Sequence, residues 1–183
     1  ARLMADEDRV PLRRNPYVWA FVIGCVSVTL IRPLLRYEPK PPPILGELPA
    51  FSLVDTDGKP FGSTELRGQV WIASFFFTRC PSVCPLLMNR MAELQARFQR
   101  DGIAGIRLVS ISVDPEHDTP AVLKAYADQW GAQRELWRFA TASPAAIKAL
   151  VVGGFKEHIG EREQVNDAFD IAHAVHFVLV DGA

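Results

Sequence analysis

Residues 70–84 read VWIASFFFTRCPSVC, an apolar run that leads directly into two cysteines. The part from Val70 to Phe77 is almost unbroken in its hydrophobicity, which is typical of a strand buried on both faces of a sheet. Apolar residues then recur at helical spacing from Leu86 to Phe98, and Asp101-Gly102 ends that pattern. The stretch therefore predicts a buried strand, a cysteine-bearing loop and a helix.

The two cysteines, Cys80 and Cys84, are four residues apart, and this spacing places side chains on one face of a helix. A helix start also lowers the pKa of a thiol through its exposed N–H groups and its dipole. Such a pair is able to share a soft metal ion, to form a structural disulfide in an oxidising compartment, or to cycle between thiol and disulfide. The spacing leaves these three roles open.

Strand and helix patterns alternate through the rest of the chain. Further strands are predicted at residues 51–54, 108–113 and 174–180, and helices are predicted to begin at Thr119-Pro120 and Ser143-Pro144. This alternation implies parallel strands joined by crossover helices. We therefore expect an α/β domain with the cysteines at the carboxyl end of a central strand, where open α/β sheets commonly place their sites.

Composition limits the classes of protein that fit. The chain has 183 residues, of which 49 % are hydrophobic, and a net charge of −1. This is enough sequence for one domain of ordinary size plus an appendage. A nucleic-acid partner is not expected, since such proteins usually carry a basic patch. Because the chain begins at Ala1 and ends at Asp181-Gly182-Ala183, we expect a fragment with further sequence after Ala183.

The N-terminal sequence predicts a single membrane anchor. Residues 17–31 carry no charge, and they approach the spanning length of about 20 residues only if Arg32 snorkels and the helix continues to residue 35. Arginines before this segment favour a cytoplasmic N-terminus, although the basic residues after it weaken the asymmetry. The expected organisation is a cytoplasmic segment at 1–16, a transmembrane signal anchor at 17–35, a proline-rich linker at 36–47 and the α/β domain at 48–183.

Cys25 has a second interpretation. It follows Val22-Ile23-Gly24, and this tetrapeptide also looks like a lipoprotein cleavage box in which the cysteine is acylated. Apolar residues continue beyond Cys25, which favours a small apolar residue on the anchor helix instead. Cys80 and Cys84 are then the remaining cysteines for metal binding or disulfide chemistry.

Three motifs together carry a family resemblance. Residues 78–85 read TRCPSVCP, residues 112–120 read SVDPEHDTP, and His173 lies six residues before Leu179. In this order they resemble the Sco/SenC family over residues 48–183. Members of that family are membrane-anchored, thioredoxin-like copper proteins that help to assemble the Cu(A) centre of cytochrome c oxidase. The resemblance therefore implies a thioredoxin-like fold with a central mixed sheet flanked by helices.

The resemblance also implies a ligand set and partners. Cys80, Cys84 and His173 are expected to bind one copper ion, Cu(I) or Cu(II), and this agrees with the preference of thiolates for Cu(I) and the suitability of imidazole for copper. The expected function is delivery of copper to the Cu(A)-bearing subunit, or preparation of that site by thiol reduction. Other copper chaperones or thiol reductants are expected partners. The expected location is a bacterial inner membrane with the domain in the periplasm, or a mitochondrial inner membrane facing the intermembrane space.

Several other histidines and charged residues lie in or near these motifs. In a strand, side chains three apart point to opposite faces, so at most one of His173 and His176 faces the cysteines if both are extended. We expect His117 to be a solvated loop residue, and His158 to be exposed. Asp114 and Asp118 are expected either to support a ligand or a partner, or to cap the next helix. Arg79 has three possible roles: it lowers the Cys80 pKa, it meets an acidic partner, or it has no special role.

Two departures from the family pattern stand out. The residues between the cysteines are Pro-Ser-Val, where many members carry an acidic residue in the middle, and the last strand and helix of the family fold have no counterpart in the chain. The alternative function is a thioredoxin-like thiol–disulfide oxidoreductase or peroxidase with Cys80 and Cys84 as its catalytic residues. Against it, such enzymes generally use a two-residue spacing or a lone cysteine and a later proline, whereas this chain has no proline after Pro144. A copper sensor would use the same ligands.

Overall fold

The computed structural model describes residues 15–32, 43–44, 46–165, 168–173 and 175–182, with side chains at 161–170, 172 and 173 left aside. The chain divides into two units, residues 1–45 and 46–183. In the first unit, α1 (Pro16–Ile31) begins at Asn15, whose side chain accepts a hydrogen bond from the Tyr17 N–H. This N-cap and the proline in the first turn explain where the helix starts.

The predicted membrane-spanning helix over residues 17–35 is not supported by this structure. Within the described segments, no helix is both long enough and apolar enough to cross a membrane. Helix α1 has 16 residues and ends at Ile31. The predicted continuation to residue 35 and most of the proline-rich linker lie outside the described residues.

The second unit contains the expected mixed sheet. Its strands are β1 (Ser52–Asp55), β2 (Pro60–Gly62), β3 (Val70–Phe76), β4 (Ile106–Ser112), β5 (Trp137–Thr141) and β8 (Val178–Val180). They lie in the order β2-β1-β5-β4-β3-β8. The β3–β4 and β4–β5 pairs are parallel, whereas β1–β2, β1–β5 and β3–β8 are antiparallel. The cysteine loop therefore follows a strand with a neighbour on each side.

Helices connect these strands, and two of them start where the sequence predicts. The helices are α2 (Ser63–Leu66), α3 (Val83–Arg100), α4 (Pro120–Gln129) and α5 (Pro144–Lys148), and a π-helical turn, Ala149–Gly154, continues α5. Thr119 and Ser143 are the N-caps of α4 and α5, and their hydroxyls accept hydrogen bonds from the Val122 and Ala146 amides. The predicted cap signals are confirmed.

The C-terminal region differs from the sequence prediction. A separate two-stranded sheet forms between β6 (Ile159–Val165) and β7 (Ala168–His173). The strand predicted at 174–180 is limited to β8, because the chain bends at His176 before it pairs with β3. Neither β5 nor the β6–β7 hairpin was predicted. The sequence of β6 is mostly polar, so it lacks the apolar periodicity that marks a buried strand.

Strand β3 is packed on both faces by aromatic rings. On one face, the Phe75 ring lies 5.0 Å from that of Phe155 in an edge-on arrangement. On the other face, the Phe76 ring stacks on Tyr126 at 5.4 Å and meets Phe139 edge-on at 5.4 Å. Such offset and edge-on contacts are the preferred geometries of aromatic pairs. The end of β3, from which the cysteine loop emerges, is therefore fixed by packing above and below the sheet.

Candidate functional site

The thiol pair lies between β3 and α3. The Cys80 N–H donates to the Phe77 carbonyl at 3.2 Å, which closes a tight turn after the strand. Ser82 occupies the N-cap position of α3, and the Cys84 N–H in the first helical turn donates to Cys80 Sγ at 3.5 Å. The Cys80 sulfur thus serves as the acceptor for one of the exposed N–H groups at the helix start. Cys80 itself precedes the helix, so the prediction that both cysteines share one helix face is wrong.

The two thiols differ in their readiness to ionise. Both cysteines are present as thiols, and Cys80 is 5 % exposed whereas Cys84 is fully buried. Burial opposes ionisation of Cys80, but hydrogen bonds from the Cys84 and Ser82 groups outweigh it and lower the Cys80 pKa below its ordinary value. Burial raises the Cys84 pKa well above its ordinary value, and the neighbouring Cys80 sulfur adds to that effect. Cys80 is therefore the first of the two to become a thiolate.

A buried carboxylate holds the start of the cysteine loop. Asp118 is fully buried and accepts hydrogen bonds from the Thr78 N–H at 3.0 Å and from the Thr78 hydroxyl at 2.5 Å. It also accepts from the Ser112 hydroxyl at 2.6 Å, and His117 Nδ1 lies 2.9 Å from its second oxygen. Asp118 therefore connects the end of β4 to the loop that carries Cys80.

A second carboxylate fixes the neighbouring arginine. Asp114 is buried, and its Oδ2 accepts a hydrogen bond from Arg79 at 2.6 Å. Arg79 is thus held by an ion pair beside Cys80, while its side chain stays 34 % exposed. The interpretation of Asp114 and Asp118 as helix caps is wrong, since Thr119 caps α4. The sequence places Thr78 and Asp118 after two predicted strands, but their contact follows only from the parallel pairing of those strands in the structure.

The four histidines occupy different environments. His173 is the last residue of β7, and its Cα pairs with that of Ile159 in β6. His176 lies outside a strand, is 58 % exposed and has its Nε2 2.8 Å from Glu157 Oε1. His117 contacts Asp118 and is 39 % exposed, so it is more enclosed than predicted, whereas His158 is exposed as expected. The role of His173 as a third ligand stays a prediction.

The mixed sheet, with a thiol pair between a central strand and the following helix, defines a thioredoxin-like domain. Comparison with known proteins identifies the family of this domain. The SCO1/SenC family model matches residues 45–183. The chain is 32 % identical over 164 residues to the SCO1 protein homolog of Bacillus subtilis (strain 168), which covers 89 % of this chain and 78 % of the relative. This chain belongs to the SCO1/SenC family.

Two solved structures are similar over most of the domain. Bradyrhizobium japonicum ScoI with copper bound has a TM-score of 0.65 and 25 % identity, covering 75 % of this chain and 84 % of that chain. BsSco, described as having a disulfide switch and as a member of the Sco family of cytochrome c oxidase assembly proteins, has a TM-score of 0.64 and 30 % identity, covering 79 % of this chain and 84 % of that chain. The expected thioredoxin-like fold of the domain is confirmed.

The unequal thiols predict an order of chemical modification. In a Cys25→Ser background, which removes the exposed cysteine, iodoacetamide at pH about 8 should alkylate Cys80 about tenfold faster than Cys84 because only Cys80 has a lowered pKa. Peptide mass spectrometry over time measures both rates. The Cys80→Ser and Cys84→Ser variants assign them, and faster labelling of Cys84 would contradict the described hydrogen bonding.

The Asp118 network predicts a large effect on stability. Asp118→Asn replaces one acceptor oxygen by an amide that faces donors from Thr78 and Ser112, so the free energy of unfolding should fall by about 1–3 kcal/mol. Urea unfolding followed by fluorescence measures it. Asp128→Asn, at an exposed position in α4, is the matched control and should change stability by less than about 0.5 kcal/mol. Equal stability of the two variants would show that the buried carboxylate does not hold the loop.

Proposed function

We propose that this protein binds one copper ion through Cys80, Cys84 and His173 and takes part in assembly of the Cu(A) centre of cytochrome c oxidase. The observation that carries the proposal is the pair of closely spaced thiols at the start of α3, of which Cys80 has a pKa below its ordinary value. Membership of the SCO1/SenC family supports it, since a solved relative has copper bound.

The donor set fits copper as the cargo of the protein. Two thiolates and an imidazole suit both copper oxidation states, whereas harder cations prefer oxygen ligands. Cys80 supplies the first thiolate. Cys84 keeps its proton in the buried site, so a cation that binds both sulfurs must displace that proton. Copper uptake should therefore release protons and become tighter as pH rises.

The recipient is proposed to be the Cu(A)-bearing subunit of the oxidase. Pro81 and Ser82 are exposed between the two cysteines, and Leu86 is 68 % exposed one turn further along α3. A partner that docks on this surface reaches the Cys80 side of the pair, where its own thiolates could exchange with those of Cys80 and Cys84. The description of BsSco as belonging to a family of cytochrome c oxidase assembly proteins supports this choice of partner.

Attachment to a membrane, with the domain in the periplasm or the mitochondrial intermembrane space, remains part of the proposal. It rests on the charge-free residues 17–31 of the sequence and not on the structure. Delivery of copper, rather than sensing of copper, is also part of the proposal. Both functions would use the same ligands.

Thiol–disulfide exchange is a second candidate function, and the unequal thiols favour it. The Cys80 thiolate would attack a disulfide of the recipient and release one recipient thiolate, giving a mixed disulfide. Cys84 would then lose its proton and attack Cys80 Sγ, releasing the second recipient thiolate. The recipient gains two electrons, Cys80 and Cys84 become a disulfide, and a dithiol reductant is required for the next cycle. The reduced recipient would be ready to accept copper, so the two functions are compatible.

Copper loading of the reduced full chain in the Cys25→Ser background tests the proposal. We expect one copper per chain and a thiolate-to-Cu(II) absorption band, because both sulfurs would bind the ion. The Cys80→Ser and Cys84→Ser variants should lose the band, and His173→Ala should lose or reshape it. His158→Ala, which removes an exposed histidine, is the matched control and should behave as the parent chain does.

The outcomes separate the two functions. Failure to retain copper, together with a Cys80–Cys84 disulfide that cycles readily and does not depend on His173, would replace copper binding by the oxidoreductase function. Copper retention that survives His173→Ala with an unchanged spectrum would remove His173 from the ligand set while leaving the thiol pair as the copper site.

A further inference from the structure

The hairpin that carries His173 is joined to the rest of the domain at two points. Before β6, the Glu157 N–H donates to the Val151 carbonyl at 3.0 Å, so Glu157 is attached to the π-helical turn. After β7, the chain passes His176 and enters β8, where Val178 pairs with Ala73 of β3. These two points form the root of the hairpin.

Both sides of the root are anchored on β3. Phe155, two residues before Glu157, packs edge-on against Trp71 at 5.9 Å and against Phe75 at 5.0 Å. On the other side, Phe177 packs against the hydrophobic core directly after His176. The strand that delivers the chain to Cys80 therefore also holds the two ends from which the hairpin extends.

A side-chain contact crosses this root. His176 Nε2 and Glu157 Oε1 are 2.8 Å apart, and the Glu157 side chain is only 20 % exposed. A carboxylate only accepts hydrogen bonds, so Nε2 carries the proton and donates it. The contact joins residues 19 positions apart and lies just outside the Ile159–His173 pair that ends the hairpin ladder.

The hairpin needs contacts beyond its own ladder of hydrogen bonds. A two-stranded sheet is marginally stable by itself, and the sequence of β6 between Ile159 and Val165 is mostly polar. Ile171 is buried, and Ile159 packs against the core, so the apolar contacts of the described hairpin side chains lie near its root. The register of the hairpin ladder also shifts between Ile159 and Arg162, next to the Ile159–His173 pair.

We propose that Glu157 and His176 form a clasp across the root of the β6–β7 hairpin and thereby position His173 for metal binding. The clasp consists of these two positioning residues and contributes no ligand. The metal-binding part rests on the proposed function, whereas the closure of the hairpin root does not. His176, which the sequence offers beside His173 as a histidine that could face the cysteines, thus acts as a positioning residue and not as a ligand.

Amide hydrogen exchange of the metal-free chain tests the clasp without copper. Glu157→Ala and His176→Ala should each accelerate exchange of the ladder amides in residues 168–173 by about two- to fivefold, which is the range for the loss of one partly exposed side-chain contact. The double variant should exchange no faster than either single variant, because both changes remove the same contact. His176→Gln should restore slow exchange in part, since its amide N–H can donate to Glu157. His158→Ala, next to the clasp, should leave the rates unchanged.

Copper retention tests the positioning of His173. In the Cys25→Ser background, the clasp variants should release copper about two- to fivefold faster and shift the Cu(II) spectrum toward that of His173→Ala, with partial rescue in His176→Gln. Parent-like exchange rates in both alanine variants would overturn the clasp. Faster exchange with unchanged copper release and spectrum would overturn the positioning role. If the parent chain binds no copper, the proposed function and the positioning role fail together, while the exchange rates still decide whether the clasp exists.

Discussion

Burial of β3 on both faces is the constraint on which the rest of the domain depends. Its apolar side chains alternate between two layers, with Phe75 packed on Phe155 and Phe76 packed on Tyr126 and Phe139. A strand held in this way cannot shift along its axis without disturbing both layers. The position of β3 consequently fixes where the cysteine loop begins and where β8 pairs along its edge.

Polar contacts also hold the cysteine loop that follows β3. Asp118 receives two hydrogen bonds from Thr78 and one from Ser112, so the first residues after β3 are tied to the end of β4. A fully buried carboxylate is costly unless several donors satisfy it, and this network supplies them. The Cys80 sulfur completes the path by accepting the Cys84 N–H at the start of α3. The position of the thiol pair is therefore set by strand packing, by a buried network and by a helix start.

The sequence predicted the elements whose signals are local. The apolar run at 70–77 and the caps at Thr119 and Ser143 lie within the elements they define, and the structure confirms them. The β6–β7 hairpin was missed because its polar sequence lacks apolar periodicity and its pairing depends on register. The same distinction applies to the site. Cys80 and Cys84 were recognisable as a pair, whereas the Asp118–Thr78 contact joins residues 40 positions apart and depends on the parallel pairing of β3 and β4.

The charges around the thiol pair disfavour a free dithiolate. Arg79 lies next to Cys80, but its guanidinium is held by the buried Asp114 carboxylate, so much of its positive charge is already balanced. Stabilisation of the Cys80 thiolate then falls to the neighbouring hydrogen-bond donors. Burial raises the pKa of Cys84, and the charges of Cys80 and Asp118 raise it further. A second thiolate in this place is disfavoured unless a positive ion contacts both sulfurs, so the copper binding proposed above would be coupled to release of the Cys84 proton.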